Sequence, residues 1–332
     1  MLKLFLMTKN ELEILEDWLK YHGYLFGLEN IYVLDGSDDE RVFEIYQRYK
    51  PLGLNVYHSS TGLDGLGREL TQLMHANKGT NNFLIKLDTD EFLAYIRDFK
   101  LSPLGLLALV LRRIYPRGKV ARWISGNLMD LMYRNKELYV DNFSQFFAEL
   151  PVTGQRYKAS FTTWSIPRNS AVPNICRDLT EFTPLQFTHL KSFFHSDSFV
   201  SVDLGGHNGV STNNSRVIDT GLTLIHYHST SVDDSARRAK QVLQSHKYID
   251  AEDSIMEQRE KLQAIKSKSY VPSFHKINFY LQYLDSLEGG KPINPTVLNS
   301  EHPYFRQTGP VREMTLVRDT LNMIDSNGIF GL

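Results

Sequence analysis

The run Phe83-Leu84-Ile85-Lys86-Leu87-Asp88-Thr89-Asp90-Glu91-Phe92-Leu93 holds the residues best placed to do chemistry. An apolar segment ends at two carboxylates spaced i, i+2, and a third acid follows at once. A buried strand is apolar throughout or alternates. Acids gathered at one end of such a run therefore belong at the strand's C-terminal edge, and in open α/β sheets ligands bind outside that edge. Two hard oxygen ligands on one short turn suit a divalent cation, which in turn suits phosphate. Asp88 and Asp90 thus point to metal-assisted chemistry on a phosphorylated donor. The plainer alternative is a D-x-D turn that only caps the next element. Glu91 is either a supporting acid or a partner within the turn.

Other early turns supply further candidates. Lys9, Asn10 and Glu11 follow the first apolar run and should line the same crevice, where helix N–H groups are open to an anion. Asp35 closes the second run. Arg68, just past the loop Thr61-Gly62-Leu63-Asp64-Gly65-Leu66-Gly67, has the fork to hold a diphosphate bidentately, or else lies on a helix surface. His207 follows Gly205-Gly206, where the backbone can approach a substrate closely. His226 and His228 are spaced i, i+2 on one expected strand and so share a face. His22 falls on the apolar side of the first helix and reads as a core histidine.

The elements that must position these groups alternate. Leu2 to Met7, Asn30 to Leu34, Leu54 to His58 and Phe83 to Leu87 read as strands. Helices fall between them. The first carries Leu12, Leu15, Trp18, Leu19, His22, Leu25 and Phe26, with Asn10 as its expected cap and Glu13 in the reciprocal position. The second carries Val42, Ile45, Tyr46 and Tyr49 and stops before Pro51. The third carries Leu70, Leu73 and Met74. This β-α-β-α-β-α-β order predicts a doubly wound, mostly parallel sheet. A helix capped at Ser102 and a fifth strand over Lys119 to Ile124 follow. Residues 138–188 lose periodicity and read as an ordered, substrate-facing insertion. Strands return around Thr188 to Val202 and Leu222 to Tyr227. The chain is then helical from Ser231, and residues 246–332 read as a helical extension.

Composition narrows the class. The formal net charge of -1 over 332 residues gives no case for nucleic acid or an anionic membrane. The single cysteine, Cys176, excludes an intrachain disulfide or a cysteine-based zinc site. Met1 to Met7 is too short for a signal sequence and lacks a cleavage site. No apolar stretch reaches the ~20 residues of a membrane span. The chain reads as soluble and cytoplasmic.

Three stretches together resemble the GT-A glycosyltransferases, with the closest likeness to family 2-like and family 92-like enzymes. They are Lys9-Asn10-Glu11 with Glu16-Asp17-Trp18-Leu19-Lys20-Tyr21-His22, then Ile31-Tyr32-Val33-Leu34-Asp35-Gly36-Ser37-Asp38, then Leu87-Asp88-Thr89-Asp90-Glu91-Phe92. Weaker matches follow at Leu190-Lys191-Ser192-Phe193, Gly206-His207 and Ile225-His226-Tyr227 with Ser231. The likeness spans residues 1–245, taken as the catalytic domain. It departs at Asp17 and in the long stretch 138–188.

The resemblance implies a GT-A (Rossmann-like) fold and transfer of a sugar from a nucleotide-diphosphate donor, most of all a UDP-sugar, to a hydroxyl of a glycan or glycosylated acceptor. It implies Mn²⁺ or Mg²⁺ held by Asp88, Asp90 and His226, with His228 as the alternative. Asp35 would touch the base or ribose, and Lys191 and His207 would belong to the donor site. Inversion would need a carboxylate base. Asp203 ranks first among Asp130, Asp141, Glu149, Asp178, Glu181, Asp197, Asp203 and Asp219 because it neighbours Gly205-Gly206-His207. Two other readings stay open: a non-catalytic sugar-nucleotide or glycan-binding module on the same scaffold, and a sugar nucleotidyltransferase. Thr8-Lys9-Asn10-Glu11 lacks the Gly-rich, basic loop the latter would carry there. Phe279, Tyr280 and Tyr283 suit packing on the catalytic domain or in a homodimer.

Overall fold

The computed structural model describes residues 1–59, 61, 63–97, 137–152, 156–161, 191–213, 217–226, 232–267, 273–289 and 310–331. The expected helix after Ser102, the expected strand Lys119 to Ile124, Cys176, His228 and most of 138–188 lie outside these residues.

The chain begins β1 (Leu2–Thr8), α1 (Leu12–Phe26), β2 (Ile31–Asp35), α2 (Glu40–Tyr49), β3 (Asn55–His58), α3 (Leu63–Asn77), β4 (Phe83–Leu87) and β5 (Glu91–Ile96). Next come β6 (Leu138–Tyr139), α4 (Phe143–Ala148), β7 (Arg156–Phe161), β8 (Lys191–His195), β9 (Phe199–Val202), β10 (Gly209–Ser211) and β11 (Val217–His226). Helices α5 (Val232–Ser245), α6 (Ile255–Lys266), α7 (Phe274–Leu287) and α8 (Pro310–Ser326) close the chain.

Among the described residues one sheet runs β3-β2-β1-β4-β8-β7-β11-β5-β6. The first four strands are parallel. β8 is antiparallel to β4 and β7, β7 and β11 pair in parallel, and β5 is antiparallel to β11 and β6. This is the α/β class read from the alternating pattern. Strands β2 and β4 are buried end to end, which is why they read as mainly apolar runs.

Side-chain alternation divides the core. Phe5, Tyr32, Leu34 and Leu84 meet Leu70, Leu73 and Met74 of α3, with Phe194, Phe199 and Val202 closing the cluster. The opposite face takes α1 and α2, so helices cover both sides. Helix α1 is also tied to β5. Trp18 Nε1 donates to Glu91 O at 2.9 Å, Tyr21 Oη donates to Leu93 O at 2.8 Å, and Leu93 N donates to His22 Nε2 at 3.3 Å. His22 Nδ1 therefore carries the proton and donates to Trp18 O at 3.0 Å, which makes it a core histidine. Strand β5 was not among the expected elements.

The cap expected from Asn10 does not form. Glu11 holds the cap position without a side-chain cap bond, and Asn10 sits at φ 55. Its amide is spent elsewhere: Oδ1 accepts from Asp38 N (3.1 Å) and Asp39 N (3.2 Å), and Nδ2 donates to Asp38 Oδ1 at 2.6 Å. Three bonds to the β2–α2 turn outweigh one cap bond.

The chain divides into two compact units. One comprises Met1–Trp164, Thr183–His226 and Pro303–Leu332, the other Ser165–Phe182 and Tyr227–His302. In the first, α8 returns to α1: Lys20 pairs with Asp325 at 2.7 Å, and the Phe330 ring meets Tyr49 with centroids 6.0 Å apart. In the second, Ala236, Ala239 and Leu243 of α5 share a core with Leu262, Ile277, Tyr280 and Leu284. His226 is the last residue of the first unit before the chain passes to the second, and α8 belongs to the first unit. No helix among the described residues is long and apolar enough to cross a membrane.

Candidate active site

The order β3-β2-β1-β4 places a topological switch point between β1 and β4, because β2 and β3 add on one side of β1 and β4 on the other. Ligand crevices open at the carboxyl ends of strands at such points. The edge here is built from Thr8–Glu11, Asp35–Asp39 and Asp88–Asp90.

The acid turn is held by two buried lysines. Lys86, on β4 itself, donates to Asp88 Oδ1. Lys191, the first residue of β8, donates to Asp88 Oδ2 at 2.8 Å, pairs with Glu91 Oε1 at 2.9 Å and donates to Gly205 O at 2.7 Å. Glu91 Oε2 accepts the Asp88 N–H at 2.8 Å, so Glu91 is the partner within the turn. Both lysine side chains are essentially inaccessible, at 1% and 0% exposure, whereas Asp88 keeps 38%. Burial alone would push the Asp88 carboxyl up, but the ammonium groups of Lys191 and Lys86 outweigh it and hold the carboxyl well below the usual range. Burial pushes Lys86 down, with Asp88 partly countering it. Burial acts on Lys191 in the same sense, but Asp88 and Glu91 outweigh it and push that ammonium up. Asp90 is buried beside this group.

The loop 203–208 packs against the turn. Gly206 has φ +69, and a Cβ there would come within 2.9 Å of Lys86 Cδ, so the position requires glycine on two counts. Gly205 carries the His207 ring against its backbone, where a Cβ would lie 2.7 Å from Cδ2. Ser192 N donates to Gly206 O, and Ser192 Oγ to His207 O, both at 2.8 Å. Asp203 heads the loop: its Oδ2 accepts Asn208 N at 3.0 Å, while Oδ1 is buried with no hydrogen-bond partner. The fold thus brings Asp88, Lys191, Asp203 and His207 onto one packed group.

A second cluster lies at the ends of β1 and β2. Thr8 and Asp35 are register partners, and Asp35 pairs in turn with His58. Asp35 Oδ1 accepts from Ser37 Oγ (2.6 Å) and Tyr46 Oη (3.0 Å). Burial, then the neighbouring Asp35, pushes the Tyr46 hydroxyl up and keeps it a donor. Asp35 Oδ2 and Thr8 Oγ1 are buried without partners. Two adjacent orphaned oxygens at a switch-point edge are what a ligand's polar groups would satisfy. A cavity of about 410 Å³ opens beside Asp35, flanked by Phe43, Tyr46, Val56 and His58. It lies under the β2–β3 edge rather than at the acid turn.

The other candidates are less engaged. Lys9 and Arg68 are exposed, and Glu11 is half-buried at the start of α1. His226 ends β11 with its backbone in register with Glu91, which brings that residue beside the acid turn. Thr8, Lys86 and Ser37 were not singled out in the sequence. A lone lysine inside an apolar strand, two residues before an acid, was the one available signal.

No protein-family model matches the chain, and no curated protein matches it. Solved structures similar to it at low identity include three of S. aureus TarS. S. aureus TarS residues 1–349 is 11% identical, with 97% of this chain and 91% of that chain covered and a TM-score of 0.32. The same TarS segment in complex with UDP is 12% identical over 97% and 91%, with a TM-score of 0.30. A further S. aureus TarS structure is 10% identical over 95% of this chain and 55% of that chain, with a TM-score of 0.31. Scores near 0.3 at this identity carry no inference about the present chain.

Among the described residues no group of three or more His, Cys, Asp or Glu side chains is gathered to hold a metal ion. A partial set does fit one. A carboxylate offers about four acceptor sites, and the lysines take one on each oxygen of Asp88. Asp88 therefore keeps acceptor capacity for a cation, whose shell substrate phosphates and water could complete, as Mg²⁺ sites commonly do.

Proposed function

We propose that the chain is a glycosyltransferase that uses a nucleotide-diphosphate sugar, with the donor lying across the β1/β4 switch point. The observation that carries this reading is the pairing of two sites on one edge. Orphaned oxygens at Thr8 and Asp35 suit the nucleoside, and a lysine-braced acid turn at Asp88 and Asp90 suits a cation and the diphosphate. The motif resemblance points the same way. An unsatisfied carboxylate oxygen calls for an N–H donor, which uracil, cytosine and guanine all offer, so the preference for UDP rests on the motif resemblance.

The five acid and lysine charges at the turn (Asp88, Asp90, Glu91, Lys86, Lys191) sum to one negative when all are ionised. An anionic diphosphate is repelled there until a cation arrives. Asp88 and Asp90 would hold that cation, with His226 as third ligand, and when bound it offsets charge on the departing diphosphate. Lys9 and Arg68 are the further candidates for the diphosphate. Asp203, with Oδ1 unbonded, would take the proton of an acceptor hydroxyl in a single inverting displacement. The acceptor would be a glycan or glycosylated molecule, met in the cytoplasm.

The test is release of UDP from a panel of UDP-sugars with Mn²⁺. The reading expects release from at least one donor, abolished by chelation and by Asp90→Asn. Tight nucleotide binding with no release from any donor or acceptor would mark a binding module instead.

A further inference from the structure

We infer that Lys191 is a positioning residue that locks the acid turn and the loop 203–208 into one body, and that it does not bind the donor. An ammonium has three N–H groups. On Lys191 all three are accounted for, by Asp88 Oδ2 at 2.8 Å, Glu91 Oε1 at 2.9 Å and Gly205 O at 2.7 Å. A phosphate could be met only by breaking one of them. The side chain is fully buried, so it also has no route to an incoming anion.

The three acceptors belong to three different pieces of structure: the start of the turn, the start of β5 and the loop. Lys191 spans them from β8. Lys86 completes the frame from beneath, since it holds the other oxygen of Asp88 and its stem lies under Gly206. Ser192, the next residue of β8, adds two bonds to the same loop. The loop that carries Asp203 and His207 is therefore fixed relative to Asp88 before any ligand binds. A change at one is transmitted to the other through Lys191.

The inference rests on the glycosyltransferase reading only for its nucleotide arm. Hydrogen exchange on the full chain without ligand would be compared for wild type, Lys191→Met and the near-isosteric Glu91→Gln, which serves if the first variant folds poorly. Titration with UDP and Mn²⁺ accompanies it. In Lys191→Met we expect exchange over 203–208 to quicken about tenfold, as loss of a charge-assisted bond implies. Glu91→Gln should show a smaller change, and β1–β3 should keep wild-type protection. Affinity for UDP with Mn²⁺ falls in step with loop protection. Wild-type loop protection in both variants overturns the inference, and a loss of nucleotide affinity alongside it would make Lys191 a phosphate ligand. Faster exchange throughout the chain would also overturn it, as a general loss of stability. If wild type binds no nucleotide, the functional reading fails while the exchange result still decides the role of Lys191.

Discussion

At the scale of single residues, the candidate site depends on the Asp88 carboxylate, which the buried Lys191 and Lys86 ammonium groups keep ionised. Asp90→Asn should weaken binding of UDP with Mn²⁺ by about a hundredfold or more, since even lost supporting contacts around a metal cost roughly ten- to a hundredfold. Asp203→Asn should leave that binding intact and lower turnover by about 10²–10⁴-fold if Asp203 is the base. His22 gives a prediction about stability. Burial lowers its pKa to about 3, from 6.5. Between those values the unfolded chain binds a proton that the folded chain refuses. Its contribution is therefore complete above pH 6.5 and lost as pH falls, at roughly 1.4 kcal/mol per pH unit. Urea denaturation at pH 7 and pH 5 should show that slope in wild type and lack it in His22→Gln.

At the scale of elements, the parts legible in the sequence were those whose signal is local. Phe83 to Leu87 is an apolar strand because both its faces are covered, and the acids after it stand out for that reason. The first four strands and three helices follow from the same reasoning. Asn10 misled because N-x-x-E fits a cap, while its real partners, Asp38 and Asp39, lie in another turn. Lys86 and Thr8 passed unnoticed for a related reason. Their surroundings form only in the sheet, and the second lysine on Asp88 lies 103 positions further along the chain. Strand β5 was hidden because it begins inside the acid motif, and its partner β11 is distant in sequence. The bond from Tyr21 to Leu93 O is also tertiary. Tyr21→Phe should cost about 1–3 kcal/mol in equilibrium unfolding, because it leaves a buried carbonyl unsatisfied.

At the scale of the whole molecule, the first unit is closed by a helix from the far end of the chain. Val317 and Ile324 of α8 are buried, and Asp325 and Phe330 reach Lys20 and Tyr49 of the opening elements. Removing residues 310–331 should lower Tm by on the order of 10 °C, read by calorimetry, since two or more buried aliphatic side chains are lost. The sheet beneath supplies the switch point, and everything proposed for the chain depends on what occupies it. The most direct measurement is therefore calorimetric titration of UDP, GDP and CDP, each with and without Mn²⁺, on wild type and Asp90→Ala. The account predicts that UDP binds best, that binding needs Mn²⁺, and that Asp90→Ala abolishes it. Absence of metal-dependent binding for every nucleotide would contradict the account and leave Asp88 and Asp90 as structural acids of a braced turn.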